Sequence, residues 1–350
     1  MNDQVKEPEI AVVKKKVIRK KKVRDPRAKL AKPDRVLFLN SSPHLHTTKS
    51  ATSIMWSVVI ALIPAIAMSI YYFGLPAVWL LLTCTIAAVV SEIVMNLMKK
   101  EKLTIFDGSA VITGILLALT LPPSFRLSSA ALGAIVAMTL GKHIFGGLGQ
   151  NIFNPALLGR AFLQASFPVA MTTWTYPNTT KYAEVDAVST ATPLGSFKFE
   201  GVFTEYSDLL FGNIGGSLGE TSAIAVLIGG IFLLILKNAD WRIPLSFIGS
   251  VVVVSGIMWL INPTQYPDPL FHILSGGLLF GAFFMATDMV TSPITPKGMW
   301  IFGAGAGFLL VIIRLFGGLP EGVMYSILLM NGVTPLINRY TYPKIFGTPS

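Results

Sequence analysis

An all-α polytopic membrane protein of about ten transmembrane helices, arranged as two inverted five-helix repeats, is predicted by three features of the sequence. First, 52% of its 350 residues are hydrophobic and only 13% are charged, a balance foreign to soluble domains. Second, apolar runs approaching the roughly 20 residues of a bilayer-crossing helix recur along the chain, on both sides of one polar loop at 172–220. Third, strings from the first half return in the second. Gly-Ile-Leu-Leu-Ala-Leu-Thr at 114–120 resembles Gly-Ala-Phe-Phe-Met-Ala-Thr at 281–287, and Phe-Gly-Gly-Leu stands at 145–148 and again at 316–319. Asn154-Pro155 with Arg160 has a looser counterpart in Thr334-Pro335 with Arg339. An odd number of spans per repeat turns the second copy over in the membrane. Short, Gly/Pro-interrupted segments at equivalent positions then mark a binding site near the bilayer midplane.

Taken in order, residues 1–50 form a basic arm with 14 Lys/Arg against 5 Asp/Glu, which carries +9 of the formal net charge of +10. It lies too far ahead of the first apolar run to be a signal-peptide n-region. It is expected to remain cytoplasmic, against anionic membrane lipid at roughly 1 kcal/mol per basic residue near the surface. Its interleaved acids and prolines suggest no organised groove for nucleic acid.

The first repeat, 51–171, is predicted to hold spans at 53–73, 77–98, 109–121, 127–140 and 154–171, the third ended by Pro122-Pro123. After the loop at 172–220, the second repeat, 221–338, holds spans at 222–236, 244–261, 270–289, 299–315 and 323–337, and 339–350 is a cytoplasmic tail. With the N-terminus inside, Lys99, Lys100, Lys102, Lys142, Lys237, Arg242, Lys297, Arg339 and Lys344 fall on the cytoplasmic side. Arg126, Lys181, Lys198 and Arg314 fall on the other, which makes the 172–220 loop extracytoplasmic.

Cysteine usage narrows the chemistry. Cys84 is the only cysteine, so this chain alone builds neither a disulfide, an iron–sulfur cluster nor a c-type haem site. Four dispersed histidines argue against a metal centre, and no nucleophilic triad or acid–base pair stands out as catalytic. Electrons passing through such a chain need an organic cofactor.

Polar residues inside the apolar segments are the site candidates. Asp288, in Met-Ala-Thr-Asp-Met-Val-Thr-Ser-Pro at 285–293, is an ion-pathway candidate if it lies at membrane depth, and an interfacial acid if its span ends early. Glu92, near Ser91 and Asn96, reads as an ion-pathway group or as an interhelical hydrogen-bonding residue. Arg160 with Asn154 suits an anionic group or a carbonyl, or a snorkelling cation. The Gly-rich stretch 212–222 has Glu220 where a phosphate-binding loop needs Lys. A capping box of Ser217 with Glu220, opening the sixth span, is the expected reading there.

The polar loop contains Asp186-x-x-Ser189-x-Ala191-Thr192, followed by Pro193, which biases Thr192 away from helix. This resembles the acceptor motif on which flavin transferases form a phosphoester between FMN and a Thr or Ser hydroxyl. Ala187 and Thr190 stand where that pattern usually has Gly. Together with Met-Ala-Thr-Asp-Met-Val-Thr-Ser-Pro-Ile-Thr-Pro-Lys-Gly at 285–298, Asn-Pro-Ala-Leu-Leu-Gly-Arg at 154–160 and Gly-Glu-Thr-Ser at 219–222, it makes residues 38–347 resemble the NqrB/RnfD family. These are membrane subunits of ion-translocating complexes, the Rnf ferredoxin:NAD⁺ oxidoreductases and their sister Na⁺-translocating NADH:quinone reductases.

The resemblance implies a fold similar to urea and ammonium transporters in a bacterial inner membrane, with covalent FMN on Thr192. It also implies a second, non-covalent riboflavin nearer the cytoplasmic face. Asp186, Ser189 and Ala191 belong to the acceptor motif, and Asn154 and Arg160 are its cofactor-side candidates. The implied partners are RnfA, RnfB, RnfC, RnfE and RnfG, which supply iron–sulfur clusters and another flavin, with a flavin transferase for maturation. Electrons would be relayed between reduced ferredoxin and NAD⁺, coupled to Na⁺ or H⁺ movement. The short N-terminal region favours the Rnf type over the quinone reductases. A small-solute channel of urea or ammonium type explains the fold but leaves the acceptor motif idle.

Overall fold

The computed structural model describes residues 50–100, 104–177 and 189–343. The basic arm, Lys102, Lys181, Glu184, Asp186, Ala187 and the tail from Lys344 lie outside the described residues. Helix α1 (Ala51–Phe73) begins where the Ser50 hydroxyl accepts the Ser53 N–H and ends at Gly74, whose φ of 64° lets the chain turn into α2 (Leu75–Lys99). With α10 (Arg242–Ile261) and α13 (Pro296–Phe316), these are four helices long and apolar enough to cross a membrane. Large apolar side chains cover their outer faces, among them Ile60, Trp79, Ile86, Val253 and Phe308. Such surface suits lipid and not water.

The other expected spans are shorter or broken. α3 (Ser109–Leu119) has 11 residues, and α4 (Leu127–Met138) runs on into a π-helical turn at Thr139–His143. α5 (Pro155–Ser166) is followed by a single turn, α6 (Pro168–Thr172), and α9 (Ala223–Ile235) has 13 residues. The continuous span expected at 270–289 is corrected. It comprises α11 (Pro269–Leu274), a break at 275–277 where Gly276 has φ 67°, α12 (Leu278–Phe280) and a π-helical turn at Gly281–Met285. α14 (Val323–Thr341) carries Pro335 inside it, whereas Asn154 caps α5, so the looser of the repeated strings does not occupy equivalent places.

Broken helices inside an apolar protein leave backbone groups that must find partners. At the end of α3, the Leu119 and Leu121 carbonyls accept the N–H groups of Gly219 and Leu218, at 2.6 and 3.2 Å. At the end of α11, the Arg314 guanidinium donates to the His272 carbonyl at 2.6 Å and to that of Ser275 at 3.0 Å. One break is thus closed by a loop's backbone and the other by a buried cation.

Close helix contacts rest on small residues, as membrane packing favours. α2 packs on α3 and α4, and α10 on α11 and α13. α4 meets α5, α13 meets α14, and α1 lies along α9. A Cβ placed on Gly114 of α3 would lie 2.5 Å from the Thr85 Cα of α2, and one on Gly229 of α9 would lie 2.0 Å from the Ala61 carbonyl oxygen of α1.

Between the two helical halves, β1 (Trp174–Thr175) pairs antiparallel with β2 (Ser189–Thr190), setting Trp174 opposite Thr190. Two short helices follow, α7 (Pro193–Glu200) and α8 (Tyr206–Phe211). The connection 212–222 then leads to α9, whose N-cap is Ser222, its hydroxyl accepting the Ala225 N–H at 3.3 Å. This corrects the expected Ser217–Glu220 capping box. The helix starts too late for Glu220 to occupy its first turn, and the Glu220 carboxylate takes a hydrogen bond from Ser217 within the connection instead.

Candidate functional site

Thr192 is the N-cap of α7: its Oγ1 accepts the Gly195 N–H at 3.1 Å and its carbonyl accepts that of Ser196. The residue before proline is held extended (φ −68°, ψ 155°), as its position predicts. The β1–β2 pair fixes the strand leading into it, and Thr190 presses its methyl group on Gly215 in the connection. α7 itself is tethered by Lys198, whose ammonium donates to the Arg314 carbonyl at 2.7 Å and also to that of Gly317. Burial lowers the Lys198 pKa, and those carbonyls at the end of α13 are the acceptors that keep its ammonium satisfied.

Thr192 and Ala191 line a cavity of about 340 Å³. Its walls are largely aromatic and apolar, with Trp174, Phe199, Phe280 and Tyr325. Its polar groups include Thr120, Arg160, Glu220 and Glu321. Arg160 of α5 pairs with Glu321, which precedes α14, across 161 residues of sequence. Neither partner is free to snorkel; the guanidinium is held at the cavity by a half-buried carboxylate. Burial first, and then the Glu321 carboxylate, raise the pKa of Glu220, against the opposing effects of Arg160 and Ser217.

A second cavity, about 80 Å³, is lined by Ser109, Lys142, Asn151, Asn154 and Asp288, among others. Asn154 is committed here: its Oδ1 accepts the Ala156 and Leu157 N–H groups and its Nδ2 donates to the Met285 carbonyl at 3.3 Å. Asp288 accepts from the Val290 N–H at 3.3 Å and the Thr291 hydroxyl at 3.1 Å. Glu92 is fully buried; it pairs with Lys142 and accepts from the Thr104 hydroxyl at 2.9 Å, while Lys142 also reaches the Ser109 hydroxyl at 2.6 Å.

The structure therefore brings Thr192, Ala191 and Arg160 to one cavity and Asn154 with Asp288 to another. Thr120, at the break that ends α3, lines the first cavity together with Gly277, Phe280 and Met285 of the broken 269–285 segment, so the two interrupted segments share a wall there, whereas Asp288 lines the second cavity. Asp186 lies outside the described residues, and Ser189 enters only through its backbone pairing. Sequence reasoning missed Glu321, Lys142 and the cavity-facing role of Glu220. The one available signal for Glu321 was an acid directly after the repeated Phe-Gly-Gly-Leu string and its proline.

Comparison with known proteins places these features in a family setting. The sequence model of the NQR2, RnfD, RnfE family matches residues 38–347. The D subunit of the proton-translocating ferredoxin:NAD(+) oxidoreductase complex of Clostridium ljungdahlii is 47% identical over 326 residues, covering 89% of this chain and 97% of that protein. The D subunit of the Na(+)-translocating ferredoxin:NAD(+) oxidoreductase complex of Acetobacterium woodii is 44% identical over 315 residues, covering 89% and 95%. The D subunit of the ion-translocating oxidoreductase complex of Stutzerimonas stutzeri is 40% identical over 328 residues, covering 85% and 92%.

Proposed function

The chain belongs to the NQR2, RnfD, RnfE family, and from that premise we propose that it is the flavin-carrying membrane subunit of an Rnf-type complex relaying electrons between reduced ferredoxin and NAD⁺. It has no independent activity in this reading. It works as part of an ion-translocating oxidoreductase beside RnfA, RnfB, RnfC, RnfE and RnfG, in a bacterial inner membrane with the Thr192 loop on the outer side. The matching helix contacts, α2 with α3 and α4 and then α10 with α11 and α13, support two five-helix repeats.

The observation that carries the cofactor assignment is Thr192 at the start of a helix and at the wall of the aromatic-lined cavity. Its volume of about 340 Å³ falls within the range of small-molecule sites, roughly 300–1,000 Å³. FMN esterified to Thr192 would supply the electron-carrying isoalloxazine. The residues then have distinct tasks. The first turn of α7, whose Gly195 and Ser196 N–H groups are held by Thr192 itself, presents the positive end of a helix dipole to the phosphodiester anion. Trp174, Phe199, Phe280 and Tyr325 give flat apolar surface for the ring system. Arg160, fixed by Glu321, places a positive charge at the cavity, where charge-assisted hydrogen bonds are strongest.

The second, non-covalent riboflavin fits less well. The Asp288 cavity offers hydrogen-bonding groups, but about 80 Å³ is far below a ligand pocket. For ion movement we favour Asp288 over Glu92, because Asp288 reaches a cavity while the Glu92 charge is neutralised by Lys142.

Expression beside a flavin transferase tests the reading. The denatured chain should fluoresce as flavin in a gel, and Thr192→Val should abolish the band. A chain that never acquires flavin would favour the small-solute channel.

A further inference from the structure

Arg160, Glu220 and Glu321 line the Thr192 cavity, and Arg314 of α13 interacts electrostatically with both of those carboxylates. Their formal charges cancel, but they are not equivalent. Arg314 is committed to the His272 and Ser275 carbonyls that close the α11 break, and Arg160 to Glu321. Glu220 makes no ion pair among the described residues. Its carboxylate accepts from the side chain and from the backbone of Ser217, and its Oε1 presses so close to Gly277 that a Cβ there would lie 2.8 Å away. A buried carboxylate with no cation at ion-pair distance is costly to keep ionised. Any further negative charge in the same cavity raises that cost.

We propose that Glu220 is the proton-accepting group of this site, taking up one proton when the flavin on Thr192 gains an electron. The inference rests on the reading of Thr192 as the flavin acceptor. The electron comes from a one-electron donor, an iron–sulfur or flavin centre of a partner subunit. The proton comes from water and binds a Glu220 carboxylate oxygen, converting it to the neutral acid. No bond within the flavin breaks, and the charge of the cavity is unchanged. On reoxidation the proton returns to water.

The surroundings set the direction of the effect. Glu321 pushes Glu220 toward protonation, while Arg160 and Arg314 oppose it; Tyr325 of α14 lines the same cavity. Reduction raises the proton affinity of Glu220 further. Between its values in the oxidised and reduced states, the flavin's midpoint potential must fall as pH rises, and outside that window Glu220 contributes no slope.

Redox titration of flavin absorbance in the purified, flavin-bearing full chain, at a series of pH values, tests this. The wild type should show a window in which the potential falls by up to about 59 mV for each tenfold drop in proton activity. Glu220→Gln should remove the window, and Glu220→Asp should keep one. An unaltered slope in Glu220→Gln overturns the proposal. If that variant fails to fold, Glu321→Gln decides: releasing Arg160 and removing a like charge should move the window to lower pH, and an unmoved window overturns the proposal. A wild-type chain that carries no flavin in the gel sinks the reading of Thr192 itself, a separate outcome from flavin with an unaltered slope.

Discussion

Among single residues, Glu92 and Lys142 have the most to lose from separation. They sit 50 positions apart, at 0% and 3% side-chain exposure, and share a network with Thr104, Asn96 and Ser109. Removing one member of a buried pair leaves the other charge uncompensated, at about 3–5 kcal/mol. Glu92→Ala should therefore lower the thermal unfolding midpoint sharply in detergent, whereas Glu92→Leu combined with Lys142→Met should recover most of the loss. If the double variant is as unstable as the single one, the pair is not what holds α2 to the end of α4. An interhelical hydrogen-bonding role for Glu92 was one of the two readings the sequence offered, but its pairing with Lys142 was not legible, because the acid and the cation belong to different expected spans and only folding shows that they meet. Thr192 is the contrasting case. Its motif, its proline and its place in the polar loop marked it beforehand, and the structure puts it at the wall of the larger cavity.

At the scale of elements, helix spacing decides what fits. The contact of α2 with α3 depends on Gly114, where an added Cβ would sit 2.5 Å from the Thr85 Cα and 2.8 Å from the Cys84 carbonyl oxygen. These are backbone atoms, which cannot rotate away. Gly114→Val should displace α3, at about 1–3 kcal/mol or more, and with it Thr120 at the cavity. Size-exclusion profiles and unfolding midpoints of the purified variant would show it; a variant as stable as the wild type would mean that α3 has slack to move. The long apolar helices were legible in the sequence, with α1, α2, α10 and α13 beginning and ending within a few residues of the expected spans. The interrupted elements were not. Leu270 to Met289 is apolar enough to read as one helix, whereas the Arg314 guanidinium, supplied from α13, satisfies the His272 and Ser275 carbonyls at the break after α11. Glu220 misled for a similar reason. Ser217 and Glu220 have the spacing of a capping box, but tertiary contacts of Leu218 and Gly219 with the end of α3 hold the connection out of helix until Ser222.

For the whole molecule, the account requires the Thr192 loop and the α12–α13 connection to face opposite sides of the membrane. Glu200 and Lys297 are both exposed, and the native Cys84 is buried, so introduced cysteines can be compared against a quiet background. Glu200→Cys should react with an impermeant thiol reagent added to intact cells with a permeable outer layer, and Lys297→Cys should react only after the membrane is opened. The reverse pattern would place Thr192 in the cytoplasm and contradict the outer-side placement of its loop. The central claim, that this chain carries flavin through Thr192, is tested most directly by peptide mapping of the protein made beside a flavin transferase. The peptide containing Thr192 should carry one FMN, joined with loss of water and located on the Thr192 side chain by fragmentation. Recovery of that peptide wholly unmodified, or of FMN on any other residue, would contradict the account.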